Sequence, residues 1–239
     1  MKIITKPSVH VLAIPLFNSH PQYMIPPGGT MAEQLITHAG KGCYDSYGPD
    51  GRSISEHIHN LMESKHWSVL EHANISLFIE GISRGCSHEI VRHRHFSFSQ
   101  RSTRYTSEED AAIVLEPYIA YLYDKQDKTM DEAAIVNGYI RACEVSLREY
   151  ANLTRWLMEA NPNGYGGRDL RKWARGKSRQ ILPHALETRM TMTGNIRTWI
   201  EFFQKRISPH AEAEICQLAE TIRDTILPCS PLTFGNVNA

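Results

Sequence analysis

The chain has 239 residues, 41% of them hydrophobic and 22% charged, and it carries no net charge when histidine is neutral. That length buries a sizeable core, in one large domain or two small ones. A neutral total argues against a coat for nucleic acid or a membrane surface, both of which need a global positive excess. The five cysteines, Cys43, Cys86, Cys143, Cys216 and Cys229, are odd in number and form no CxxC pair. They read as a reduced, cytoplasmic chain without a disulfide framework or a zinc ribbon. No window approaches the roughly 18 apolar residues of a membrane span.

In chain order, Val9 to Leu16 reads as a strand; it is too short, and holds Pro15, for a signal peptide. After Pro26-Pro27-Gly28-Gly29, Thr30 caps a helix from Met31 to about Cys43. Ser53-Ile54-Ser55-Glu56 is a capping box that opens a helix from Ile54 to about Ser64. Ile75, Leu77 and Ile79 alternate with Asn74, Ser76 and Phe78, the period of a strand with one buried face, and Gly81 is expected to end it. Ile82, Cys86, Ile90 and His93 share a helical face, predicting a helix from Ile82 to about Arg94. A second capping box, Thr129 to Glu132, opens the longest helix, running to about Ala160. Its stripe of Ile135, Tyr139, Ala142, Val145, Leu153, Trp156 and Leu157 is core or a subunit interface. A basic segment with Arg168, Arg171, Lys172, Arg175, Lys177 and Arg179 follows, taken by itself as a solvated face. Leu186 to Thr193 reads as a strand, Asn195 as the cap of a helix from Ile196 to about Ile207, and Ser208-Pro209 as the start of the last helix, to about Ile226. The tail from Pro228 to Ala239 reads as irregular.

The stretch from Arg92 to Tyr105 stands out. It gathers Arg92, Arg94, Arg101 and Arg104 with His93, His95 and three serines, and no carboxylate offsets them. Clustered arginines repel one another and are costly to bury, so a bound anion is the simplest chemical reason for collecting them. Guanidinium forks bind phosphate or carboxylate bidentately, and hydroxyls and backbone amides fill the remaining acceptor sites. A solvated surface loop is the alternative, but Phe96, Phe98 and Tyr105 have little use in one. Asn195, Arg197, Glu201, Arg206 and His210 form a second polar set around a helix junction; Arg197 and Glu201 also fit a plain surface ion pair. His66, Ser68, Glu71 and His72 precede the first long strand. Metal is not expected, because His88, His93 and His95 lie among arginines that repel a cation. A Ser102 nucleophile lacks an ordered Ser-His-Asp set, and no Gly-rich dinucleotide fingerprint or P-loop is present.

Arg92-His93-Arg94, Ser97, Ser102 and Arg104, with Tyr105 following, resemble the signature of flavin-dependent thymidylate synthases, every fixed position being matched. His66-x-Ser68-x-x-Glu71-His72, Arg179, Asn195-x-Arg197, Arg206 and His210 look like further segments of that family. The resemblance implies an α+β fold: a single domain over residues 1–239, core about 8–228, with a mixed sheet flanked by helices and one long helix. It implies a homotetramer with active sites shared between subunits. It implies FAD as cofactor, dUMP as the small-molecule substrate, and 5,10-methylenetetrahydrofolate and NADPH as co-substrates, with no nucleic-acid or membrane partner. FAD would be bound by Ser68, Arg92, His93, Arg94, Gln100, Asn195, Ile196, Arg197, Glu201 and His210. The nucleotide would be surrounded by Glu89, Ile90, Val91, Arg92, Gln100, Arg101, Ser102, Thr103, Arg104, Arg179 and Arg206. Arg206 would favour ionisation of the uracil ring and so act catalytically. Two positions depart from the pattern: Gln100 stands where some members have Glu, and Glu201 sets a carboxylate where a flavin diphosphate would not favour one, unless Arg197 neutralises it. A non-catalytic nucleic-acid or nucleotide-binding module on the same arginines and a metal hydrolase on the histidines are the rival readings.

Overall fold

The computed structural model describes residues 1–235. In chain order the elements are β1 (Ile3–Ile4), β2 (Ser8–Ala13), α1 (Met31–Gly42), α2 (Ile54–Glu63), a 3-10 turn (Trp67–His72), β3 (Asn74–Ser83), α3 (Arg84–Ile90), β4 (Ser97–Gln100) and β5 (Ile113–Val114). They continue with α4 (Pro117–Asp124), α5 (Met130–Ala160), α6 (Gly167–Ser178), β6 (Glu187–Asn195), α7 (Ile196–Arg206), α8 (Ala213–Ile226) and α9 (Pro231–Phe234). Strands β2-β3-β6-β4 form a sheet in that order, and β1 pairs with β5 in parallel, Ile3 opposite Ile113. Among the described residues no helix is long and apolar enough to cross a membrane.

The local signals explain most starts. In α1, α2 and α5 the cap hydroxyl of Thr30, Ser53 or Thr129 accepts the backbone amide of Glu33, Glu56 or Glu132, and that glutamate accepts the cap's own amide in return. Each box satisfies two donors that a helix start otherwise leaves unpaired. Asn195 caps α7 by accepting from the Thr198 amide at 2.9 Å. Asn161, in the left-handed region at φ 32°, closes α5.

Contacts divide the chain into two compact units. The first comprises Met1–Pro7, Glu80–Ile90 and Gln100–Met190. Its core joins Ile113, Leu115, Leu186 and Ala185 to Ala120 of α4 and to Cys143 and Leu147 of α5. The second comprises Ser8–Ile79, Val91–Ser99 and the chain from Thr191 onward. An aromatic cluster fills it: Phe96 meets Trp199 edge-on with ring centres 4.5 Å apart, and Phe202, Phe203 and Phe234 continue the contact. Trp199 donates its indole N–H to the Gly194 carbonyl at 3.1 Å, so the buried ring keeps a partner. Buried Glu33 serves twice in this unit, capping α1 and accepting the Leu232 amide at 2.8 Å.

Several expectations are corrected. The strand expected to run to Leu16 stops at Ala13, short of Pro15, whose ring has no N–H for a ladder. Gly81 does not end β3; at φ +71° it stays inside the strand, which continues to Ser83. A side chain there would be strained and would also sit 3.1 Å from the Lys6 carbonyl. The helix after it is shorter than its apolar spacing predicted, Arg84 to Ile90, so Arg92 and Arg94 lie in turns and the segment then enters β4 rather than an irregular loop. Of the two readings of the α5 stripe, the core one is corrected: Val136, Cys143, Leu147, Tyr150 and Thr154 are buried, while Ile135, Val145 and Trp156 are exposed on the single chain. The last helix begins at Ala213, because the Ser208 hydroxyl and carbonyl take the amides of His210 and Ala211 in a local turn, and Glu212 does the capping. The tail forms a 3-10 turn and α9 up to Phe234; its last four residues, 236–239, lie outside the described residues.

Gly194 is a sensitive point of the second unit. A Cβ there would lie 2.4 Å from Phe96 Cε1, and that ring cannot retreat because Trp199 backs it. Gly194→Ala is expected to lower unfolding free energy by about 1–3 kcal/mol, as overpacking does. Urea unfolding followed by tryptophan fluorescence measures it; an unchanged midpoint would contradict the packing argument.

Candidate functional site

The second unit holds a cleft of about 280 Å³ lined by Arg92, His93, Arg94, His95, Phe96, Thr198, Glu201, Phe202, Lys205 and Arg206. The turns at 91–95 supply one wall and α7 the other. Arg92, Arg94 and His95 are exposed, whereas His93 and Arg206 are part-buried. Arg206 donates from Nε to His93 Nε2 at 2.9 Å. A guanidinium has no acceptor, so Nε2 must carry the lone pair and the ring proton must sit on Nδ1. Burial first, then the charges of Arg206 and Lys205, push the His93 pKa from 6.5 down to about 4. His93 is therefore a neutral acceptor among cations at physiological pH.

Glu201 is the carboxylate of this lining, and Arg197 holds it: Arg197 Nε lies 3.0 Å from Glu201 Oε1, and Nη1 lies 2.7 Å from Glu71 Oε1. Arg197 also lines a second hollow of about 400 Å³ with Ser68, His66, Trp67, Cys43 and Tyr44. Asn195 sits at the junction of β6 and α7 with its carbonyl oxygen engaged as the cap, and Ile196 behind it is fully buried. His210 is exposed in the turn after α7 and lines neither hollow.

In the first unit the residues from Gln100 to Tyr105 are tied down from several sides. Gln100 donates to the hydroxyls of Ser87 at 2.8 Å and Thr188 at 3.3 Å. Arg101 forms an ion pair with fully buried Glu108, Nη1 to Oε2 at 2.8 Å. The alignment is oblique, so the contact is an ion pair before it is a hydrogen bond. Burial pushes the Glu108 carboxyl up and Arg101 pulls it back down. Arg179 donates to the Thr103 hydroxyl at 3.3 Å, and Arg175 to the Tyr105 carbonyl at 2.8 Å. Lys172 lies over the Tyr105 ring at 5.0 Å. Ser102 is part-buried and Arg104 exposed. Glu89 is part-buried on α3 and Ile90 fully buried, while Val91 is exposed in the second unit. A larger hollow of about 620 Å³, lined by Glu109, Asn152, Arg155 and Glu159 among others, contains none of the candidate residues.

Sequence reasoning missed Lys205, Thr198 and Phe202 as cleft residues, Glu71 as a partner of Arg197, and Glu108 as a partner of Arg101. It read the α6 cations as a solvated face, whereas Lys172 and Arg175 engage Tyr105, and Arg179 just beyond engages Thr103. Helical spacing would have put Lys172, Arg175 and Arg179 on one face at intervals of three and four. Nothing in the spacing says what that face meets.

A family model described as thymidylate synthase complementing protein matches residues 28–232. The flavin-dependent thymidylate synthase of Mycolicibacterium gilvum (strain PYR-GCK) is 37% identical over 206 residues, covering 84% of this chain and 78% of the relative. That of Mycobacterium sp. (strain JLS) is 38% identical over 210 residues with the same coverage. Among solved structures, the UMP/dUMP methylase PolB from Streptomyces cacaoi bound with 5-Br dUMP is similar, with a TM-score of 0.73 and 21% identity over 98% of this chain and 96% of that one. Its complex with 5-Br UMP gives a TM-score of 0.69 at 19% identity, over 98% and 94%. At such identities the likeness establishes a shared mixed fold of helices and sheets.

The depressed His93 pKa has a measurable consequence. The folded value lies below the unfolded one, so the stability His93 contributes is complete above about pH 6.5 and is lost as pH falls toward about 4. His93→Gln keeps an acceptor for Arg206 without the titration. It is expected to flatten the decline of unfolding free energy between those two pH values; identical pH profiles would show that His93 does not titrate as described.

Proposed function

Because this chain belongs to the flavin-dependent thymidylate synthase family, we propose that it methylates dUMP to dTMP. The flavin is FAD, 5,10-methylenetetrahydrofolate gives the carbon, and NADPH gives the reducing equivalents. The observation that carries this reading is the cleft in which Arg206 bonds His93 beside Arg92 and Arg94, residues more than a hundred positions apart in the chain. The residues present suit the cofactor. A flavin diphosphate needs several cationic donors, and Arg92, Arg94, Lys205 and Arg206 line one cleft whose carboxylate, Glu201, is paired with Arg197, a guanidinium it shares with Glu71. When bound, FAD would supply the hydride-transfer chemistry, so the protein need not offer a cysteine nucleophile.

The chain's own groups then have binding and electrostatic work. Arg92, His93, Arg94, Asn195, Ile196, Arg197, Glu201, Ser68, Gln100 and His210 are assigned to FAD. Glu89 to Arg92, Gln100 to Arg104, Arg179 and Arg206 are assigned to dUMP. Arg206 is the catalytic residue: its fixed positive charge stabilises the anion formed when the uracil ring nitrogen loses its proton. Preorganisation matters here, because His93 holds the guanidinium before substrate arrives and little reorganisation is left for the reaction. Ser102 acts as a hydrogen-bonding ligand. The protein works in the cytoplasm as a homotetramer whose active sites are shared between subunits, each chain contributing one catalytic domain.

Purified protein is expected to be yellow, and its NADPH oxidation to respond to dUMP. Colourless protein that binds neither FAD nor dUMP would overturn the assignment. Arg206→Ala should leave the fold intact and lower kcat by about a hundredfold to a thousandfold, the scale for removing one preorganised electrostatic partner. Near wild-type turnover would remove Arg206 from its role.

A further inference from the structure

We propose that the pairing of part-buried Arg101 with buried Glu108 positions the segment Gln100–Tyr105 for the nucleotide, and that the Arg101 side chain itself does not touch the nucleotide. This rests on the assignment of that segment to dUMP. The resemblance groups Arg101 with the anion-binding arginines, but its bonding argues otherwise. Nη1 lies 2.8 Å from Glu108, a carboxylate with no exposed surface, Nη2 donates to the Ser107 carbonyl at 3.2 Å, and Nε is buried without a hydrogen-bond partner. Glu187 stands 4.0 Å away on the same side and is itself held by the Gly81 amide at 3.3 Å. Both terminal nitrogens of the guanidinium are thus engaged by protein oxygens, and the third is shut away from solvent.

The backbone of Arg101 is fixed as well. Its amide donates to the Arg189 carbonyl at 3.0 Å, and its carbonyl accepts from Arg84 Nη1 at 3.2 Å. Side chain and main chain together fix one residue of the segment, and its neighbours inherit that geometry. Gln100 is bonded to Ser87 and Thr188 on one side, and Thr103 and Tyr105 are held by Arg179 and Arg175 on the other. What remains exposed for an anion is Arg104, with the part-buried Ser102 hydroxyl beside it.

Stability is a poor reason for such a pair. Taking two charges out of water offsets most of their attraction, and apolar residues of similar volume often replace buried pairs without loss. A pair fixing the course of a ligand-binding segment has a reason that apolar packing does not supply, since it sets a distance and a direction.

Three proteins separate the possibilities: wild type, Glu108→Gln, and the double variant Arg101→Leu with Glu108→Leu. Each is measured for urea unfolding, FAD absorbance, dUMP affinity by calorimetry, and KM for dUMP against kcat. Positioning predicts that the double variant keeps its fold and its FAD while KM for dUMP rises about tenfold to a hundredfold, the scale of a small misplacement. Glu108→Gln leaves Arg101 charged and released. Positioning predicts weaker dUMP binding there too, whereas an Arg101 that contacts phosphate would bind dUMP as well as wild type or better, overturning the proposal. An unchanged KM in the double variant overturns it, as does a double variant that cannot fold, which would assign the pair to the core. Wild-type protein that binds FAD but not dUMP would instead overturn the functional reading on which the role depends.

Discussion

The bond from Arg206 to His93 is the interaction on which the cleft depends. Collecting Arg92, Arg94, Lys205 and Arg206 around one hollow is electrostatically unfavourable in the absence of an anion. A carboxylate placed among them would relieve the repulsion and also compete with any anionic ligand. A neutral imidazole avoids the competition. It accepts the Arg206 proton at 2.9 Å, fixes the guanidinium, and adds no negative charge. The arrangement sustains itself, because burial and the neighbouring cations keep His93 unprotonated down to about pH 4. Glu201 does stand in the lining, but Arg197 occupies it at 3.0 Å.

In the first unit the same problem is solved differently. Here arginines meet oxygens of the segment itself: Arg84 the Arg101 carbonyl, Arg175 the Tyr105 carbonyl, Arg179 the Thr103 hydroxyl. Charge-assisted bonds of this kind are stronger than neutral ones and hold their geometry better. The basic helix α6 and the turn after it therefore serve as scaffold. Among the arginines named here, Arg101 is the one set against a buried carboxylate, Glu108, and that ion pair sets it apart from its neighbours.

Much of the fold was legible from local chemistry. The boxes at Thr30, Ser53 and Thr129, the Asn195 cap and the alternation of Ile75, Leu77 and Ile79 each act within a few residues, so spacing reveals them. The misreadings have the opposite character. Gly81 looked like a stop, yet β3 accommodates it at positive φ close to Lys6. Ile82 to His93 kept helical spacing, yet the helix ends at Ile90 and the chain turns toward β4. Of the α5 stripe, read as core or subunit interface, the core reading fails, because the helix packs its Cys143 and Leu147 side on Ala111, Ala185 and Leu186, partners far away in the chain.

Sequence alone determined the identity and spacing of the arginine segment, the capped helix starts and the one-sided strands, because all of these are written in neighbours a few residues apart. Only the tertiary structure decided which arginine is held by what. It brought Arg206 to His93 across 113 positions and thereby settled the imidazole's tautomer and charge. It also buried Glu108 against Arg101, giving that arginine a different environment from Arg104 three residues later. The physical reason is common to both. Protonation state and bonding capacity depend on burial and on the nearest charges, and those are set by how the chain packs, whatever the order of its residues.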